Sequence, residues 1–192
     1  MQKNNIKQLD DIKNQVLKCT QCPLHQNRIN AVFGEGPYDA SVFIIGEAPG
    51  AKEDEAGKPF VGRAGKLLDE LLEEVGLSRK KNVFISNIVK CRPPKNRVPG
   101  KNEVNLCFPY LEQQIDLINP EILVLLGATA LKSFTGTKEK ITDLRGKWQE
   151  ANGRLIMPTY HPAAVFRNPV YRKFIEQDIQ TISEKYHALR DR

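Results

Sequence analysis

The sequence predicts an α/β fold in which a parallel sheet is covered by helices on both faces. Four short, continuous apolar runs rich in β-branched residues lie between turn signals, as strands buried on both faces read. Segments with helical spacing alternate with them, and parallel strands need such crossovers, which are right-handed in nearly all cases. No repeat, low-complexity tract or long Gly/Ser linker divides the 192 residues, so one domain over residues 1–192 is expected.

Ile6, Leu9, Ile12 and Val16 keep a helical spacing, which places an amphipathic helix ahead of the turn holding Cys19 and Cys22. Ser41 to Gly46 is the first strand. After a Gly- and Pro-rich loop, Leu67, Leu68, Leu71, Leu72 and Val75 mark a second helix that Gly76 is placed to stop. Val83 to Val89 is the second strand, followed by a basic, Pro-rich loop and a helix from about Asn102 to Ile118 that bears Cys107 and ends before Pro120. Ile122 to Leu126 makes the third strand, closed by Gly127, and Ala128 to Phe134 a short helix. Leu155 to Met157 is the fourth strand. A loop with His161 follows, and the last helix uses Tyr171, Phe174, Ile175, Ile179, Ile182 and Tyr186.

The four cysteines, Cys19-x2-Cys22 and Cys91-x15-Cys107, supply one tetrathiolate site with no sulfur left over. Structural zinc and an iron–sulfur cluster both want such soft ligands, and spacing alone leaves the two open. Disulfides or unpaired core thiols are the alternative, weakened because a chain of this length buries a core without staples. The polar start, Met1 to Asn5, lacks a signal-peptide stretch, and no run approaches the ~20 apolar residues that span a bilayer. A cytoplasmic protein with no membrane partner is expected. Net charge is +6, and Lys90, Arg92, Lys95, Arg97 and Lys101 lie in one acid-free segment, which fits either a polyanionic partner or a solvated loop.

In open α/β sheets the loops after the C-terminal strand ends converge, and ligands bind there. These loops carry Gly46-Glu-Ala-Pro-Gly50, Asn87, Gly127 and His161-Pro162, so an acid, an amide and an imidazole meet in one cleft. Each has a plainer use. Glu47 can close a tight turn, Asn87 can be a satisfied core amide, His161 can cap a turn, and Phe60 can plug a loop. Their joint placement favours a site.

Four motifs together, Gly46-Glu-Ala-Pro-Gly-Ala-Lys-Glu-Asp54, Gly57-Lys-Pro-Phe-Val-Gly-Arg-Ala-Gly65, Ser86-Asn-Ile-Val-Lys-Cys-Arg-Pro-Pro94 and His161-Pro-Ala-Ala164, resemble the family 4 uracil-DNA glycosylases. The resemblance runs from Lys18-Cys-Thr-Gln-Cys-Pro-Leu24 to the helix after Asn168-Pro169 and includes the 15-residue gap between the last two cysteines. It implies a three-layer α/β/α sandwich around a central four-stranded parallel sheet, removal of uracil from DNA, and a [4Fe–4S] cluster on Cys19, Cys22, Cys91 and Cys107. It also implies a uracil pocket of Gly46, Glu47, Ala48, Phe60, Asn87 and His161, with Glu47 and His161 catalytic. Uracil-containing DNA is then the partner, and a monomer is expected.

A base inside a duplex must be flipped out at a cost of a few kcal/mol and read by stacking and hydrogen bonds. Phe60 suits the stacking face. The Asn87 amide offers an acceptor for uracil N3–H and a donor for O4, the reverse of what cytosine needs. His161, neutral, is the natural donor to the uracil O2 that gathers charge as the glycosidic bond breaks. Glu47 is placed to support the sugar cation or orient water. Relatives whose first loop reads Gly-Gln-Asp-Pro-Tyr carry the Asp where this chain has Ala48 and the thymine-excluding Tyr where it has Gly50. Exclusion of thymine is therefore expected from Glu47 or Phe60 crowding C5. Family 5 relatives usually have an apolar residue at the Glu47 position. The branch that traps uracil-DNA covalently uses a histidine in the basic loop, and Lys95-Asn-Arg-Val-Pro99 has none. Hydrolysis with turnover is expected.

DNA contact is expected from Arg63, Lys66, Arg92, Lys95, Arg97 and Arg167 on phosphates, with Val165 or Phe166 as a wedge behind the flipped base. Val165 and Phe166 can equally be local loop packing. A non-catalytic nucleic-acid-binding module with a structural metal site is the alternative function. A doubly wound nucleotide-binding enzyme is weaker, because the loop after the first strand lacks a Gly-x-Gly-x-x-Gly run.

Overall fold

A computed structural model describes residues 3–191. In chain order these form α1 (Lys3–Lys18), β1 (Val42–Gly46), α2 (Ala51–Ala56), α3 (Arg63–Glu74), β2 (Val83–Asn87), α4 (Lys101–Ile118), β3 (Ile122–Leu126), α5 (Gly127–Thr135), α6 (Ile141–Leu144), β4 (Gln149–Ala151), β5 (Arg154–Thr159) and α7 (Val170–Arg190). Short 3₁₀ turns cover Pro23–Gln26, Pro94–Asn96 and Pro162–Phe166.

The first three strands are buried at every position, which is why they read as unbroken apolar runs. Their side chains, and those of β5, alternate between two cores. Phe43, Ile45, Phe84, Leu123, Leu125 and Ile156 pack under α1, α4 and α5. Val42, Ile44, Val83, Ile85, Val124 and Met157 pack under α3 and α7. Leu9, Ile12 and Val16 of α1 are buried, whereas Ile6, which shares their spacing, is 42% exposed. Gly76 ends α3 as expected: it takes φ 78°, and Leu77 N–H reaches back to Leu72 O at 2.9 Å.

The sheet has five strands in the order β2-β1-β3-β5-β4, not four. The parallel pairs β1–β2, β1–β3 and β3–β5 match the expectation, but β4 joins β5 antiparallel, so the sheet is mixed. Asn152 and Gly153, both at positive φ (52° and 71°), make the two-residue reversal between β4 and β5. The strand was overlooked because Gln149–Ala151 is short, polar and largely exposed, without an apolar pattern.

Strand order places the site. The chain leaves β1 for β2 on one side and returns to β3 on the other, which opens a crevice at the C-terminal ends of these strands. Register sets Gly46 beside Asn87 and Leu126 beside Thr159, so the loops that follow start level. Among the described residues no helix is long and apolar enough to cross a membrane.

Candidate active site and thiol cluster

A cleft of about 920 Å³ opens at that crevice, and Glu47, Ala48, Phe60, Asn87, His161 and Arg167 line it. Gly46 lies beneath. A Cβ there would sit 2.7 Å from two Phe60 ring carbons and would also strike Asn87 Oδ1, so only glycine lets ring and amide share one floor. Asn87 is 1% exposed, and its Oδ1 has no partner among the described residues. A buried acceptor left unmade costs about 1–3 kcal/mol, so this atom is set for a donor that enters the cleft.

His161 is held in one tautomer. Its Nδ1 accepts from Ala163 N–H at 3.1 Å, which leaves the ring proton on Nε2. Burial pushes its pKa down to about 4; Arg167 adds to the shift and Glu53 opposes it. The ring is therefore a neutral N–H donor at physiological pH. It lies 5.5 Å from the Phe60 ring, centroid to centroid, at 28°. Gly127, at φ 87°, admits the His161 loop: a Cβ there would come within 3.1 Å of His161 Cβ.

Phe60 is buried with a left-handed backbone at φ 52°, a conformation that costs a phenylalanine about 1–3 kcal/mol. Its surroundings hold it from both sides. Glu53 Oε1 accepts from Val61 and Gly62 N–H at 2.9 and 2.8 Å, and Oε2 accepts from Gly50 N–H at 3.1 Å. Arg79 donates to Pro59 O at 2.7 Å and Phe60 O at 2.9 Å, and is itself paired with Asp69 and Glu35. Gly65 passes so close to Phe60 O that no Cβ fits. Glu53 and Arg79 were missed as site residues; only the fold brings them to the Phe60 turn.

The four cysteines are free thiols that ring one cavity with Arg28 and Lys90. Arg28 Nη1 donates to Cys91 Sγ at 3.0 Å, and Lys90 N–H donates to Cys107 Sγ at 3.2 Å. Burial pushes the Cys22 and Cys91 thiols up and that of Cys107 to about 11. Burial also pushes the Lys90 ammonium down to about 7, and a charged Cys107 sulfur works against that shift. Thiolates here need cationic charge beside them.

Of the basic candidates Arg97 and Arg167 line the cleft, and the six have different commitments. Arg97 makes a bidentate pair with Glu103 at 2.8 and 2.7 Å, and Arg92 Nε donates to Asn96 Oδ1 at 2.8 Å. Arg63 lies over the Phe166 ring at 4.2 Å, and Lys66, Lys95 and Arg167 are exposed. Phe166 is 44% exposed, while Val165 packs against the α3–α7 core.

Residues 33–182 match the profile of the Uracil DNA glycosylase superfamily. The chain belongs to the uracil-DNA glycosylase superfamily. Within it, the type-4 uracil-DNA glycosylase of Sulfurisphaera tokodaii is 48% identical over 185 residues, covering 92% of this chain and 84% of that one. That of Thermotoga maritima is 47% identical over 178 residues, covering 90% and 91%. A type-5 uracil-DNA glycosylase of Pyrobaculum aerophilum reaches 28% over 186 residues, covering 80% and 82%. Identity is thus clearly higher to these type-4 enzymes than to this type-5 one.

Proposed function

We propose that the protein is a type-4 uracil-DNA glycosylase that flips uracil out of DNA, hydrolyses its N-glycosidic bond and leaves an abasic site, the opening step of base excision repair. The observation that carries this reading is Asn87: a buried amide whose Oδ1 lacks a partner among the described residues, facing a cleft that the Phe60 ring also lines. A pyrimidine with N3–H satisfies that oxygen, and one with a bare N3 does not.

Phe60 stacks on the flipped base, with its backbone fixed in advance by Glu53 and Arg79, so little ordering remains when the base arrives. As the bond to the sugar breaks, His161 offers Nε2–H to uracil O2. The Ala163 N–H on Nδ1 keeps the proton on the cleft side throughout. Glu47 lines the same cleft and supplies the carboxylate for the sugar cation or for water. The exposed Lys66, Lys95 and Arg167, with Arg63, contact phosphates, and Phe166 serves as the wedge, stiffened by the Arg63 guanidinium. Arg97 reaches phosphate only by sharing its pair with Glu103.

Cys19, Cys22, Cys91 and Cys107 hold a [4Fe–4S] cluster, whose role is to tie α1 and the basic loop to the sheet. The donor set fits: four sulfurs around one cavity, two already receiving N–H donors, as cluster thiolates do. Cysteine thiolates held by a cluster fit a reducing, cytoplasmic setting, and the protein is read as acting as a monomer.

Incubation with a uracil-containing oligonucleotide followed by alkali tests the activity: cleavage at uracil is expected and none at cytosine or thymine. A protein that binds DNA but releases no base would instead support the non-catalytic module.

A further inference from the structure

Lys90 touches both the thiol site and the backbone carbonyl of Asn87, the residue whose side-chain amide faces the cleft. It is 1% exposed, and its Nζ donates to Ser86 Oγ at 2.6 Å, Asn87 O at 2.9 Å and Gln114 Oε1 at 2.6 Å. An ammonium has three protons, and these three acceptors take them all. The acceptors are themselves oriented: the Ser86 hydroxyl and the Gln114 amide both donate to Phe33 O at 2.8 Å. Through its own N–H, Lys90 also holds Cys107 Sγ, and Cys91 is the next residue. A methionine would fill this volume without the cost of burying an ammonium among neutral oxygens, so packing alone does not account for a lysine here.

Asn87 is the last residue of β2, and its side chain extends beyond the sheet into the cleft. We propose that Lys90 is a positioning residue for base recognition: by gripping the Asn87 carbonyl and tying it to Gln114 on α4, it sets the direction of the Asn87 amide. The inference rests on the reading that Asn87 recognises uracil. It also gives the thiol site a route to the base, since α4 carries both Cys107 and Gln114.

The test is a double-mutant cycle on single-turnover excision with Lys90→Met, Asn87→Ala and the double variant, all with DNA affinity and visible absorption recorded. Misaiming a recognition group by about 1 Å costs on the order of 10²-fold, so Lys90→Met is expected to slow excision by roughly 10- to 100-fold while DNA affinity and absorption hold. The double variant is expected to be no slower than Asn87→Ala alone, because a residue acting through Asn87 has nothing left to position. A double variant slower by the full Lys90→Met factor, or a Lys90→Met protein as fast as wild type, overturns the proposal. Asn87→Ala alone at the wild-type rate overturns the recognition reading itself, which separates the two failures. Should Lys90→Met not fold, Ser86→Ala removes one acceptor and keeps the lysine. Its expected loss of roughly three- to tenfold must likewise vanish in the Asn87→Ala background, and persistence of that loss overturns the proposal.

Discussion

His161 makes the stability of the protein depend on pH in a way that isolates one ring. Its folded pKa is about 4, against an ordinary value near 6.5. As pH falls below 6.5 the unfolded chain takes up a proton that the folded ring refuses, so the contribution is complete above about pH 7. It is lost progressively down to about pH 4 and constant below. Linkage with these two values gives about 2 kcal/mol lost between pH 8 and pH 5. Urea unfolding at the two pH values, on wild type and on His161→Gln, removes the contribution of every other group by difference. The wild type should lose about 2 kcal/mol more than the variant. In the active protein, protonation would set Nδ1–H against Ala163 N–H, two donors face to face, so the ring would leave its orientation. Single-turnover excision should therefore stay flat from pH 5.5 to 8 in this ring's contribution. Equal losses in wild type and variant, or an imidazole resonance titrating near 6.5, would refute the reasoning.

Gly46→Ala should abolish base entry: its Cβ falls 2.7 Å from the Phe60 ring, so excision is expected to drop at least ~10²-fold while DNA affinity stays within a few-fold by titration. Glu53→Ala leaves three backbone N–H groups without their carboxylate and should cost about 2–3 kcal/mol in urea unfolding, with Glu53→Gln recovering part of it. Protein purified anaerobically should be brown. Cys91→Ala should lose that colour along with the order of the basic loop, measured by proteolysis, whereas a colourless variant that is folded and fully active would refute the structural role of the cluster.

Legibility in the sequence followed the kind of interaction. Ile122–Leu126 was readable to the residue because a strand buried on both faces has one dominant requirement, and apolar β-branched side chains meet it. Glu47, Asn87 and His161 were placed in one cleft from strand ends, since topology fixes where those loops go, whereas Phe60 joined them only through the family resemblance. β4 was not readable in the same way, because an exposed edge strand makes no demand on side chains, and its Asn152-Gly153 turn was the one signal it carried. Glu53 and Arg79 were silent for another reason. Their role is to hold backbone atoms of residues 59 to 62, and nothing at either position records which distant peptide its side chain will meet.

That silence bears on how the cleft works. A stacking ring on a relaxed loop would have to be ordered by each incoming base, and the entropy of ordering would be charged against base flipping. Here the Phe60 backbone sits at φ 52°, where phenylalanine does not stay unaided. Glu53 fixes the peptides after it, Arg79 fixes the carbonyls at and before it, and Gly65 leaves room for the turn. The strain is thus met during folding and not during binding. The Asn87 backbone is likewise held before any base arrives, by the sheet and by the Lys90 ammonium on its carbonyl, while its side-chain oxygen is left without a partner among the described residues. On the proposed reading, the two groups that would meet the base are each fixed from behind, Phe60 by Glu53 and Arg79 and the Asn87 backbone by Lys90.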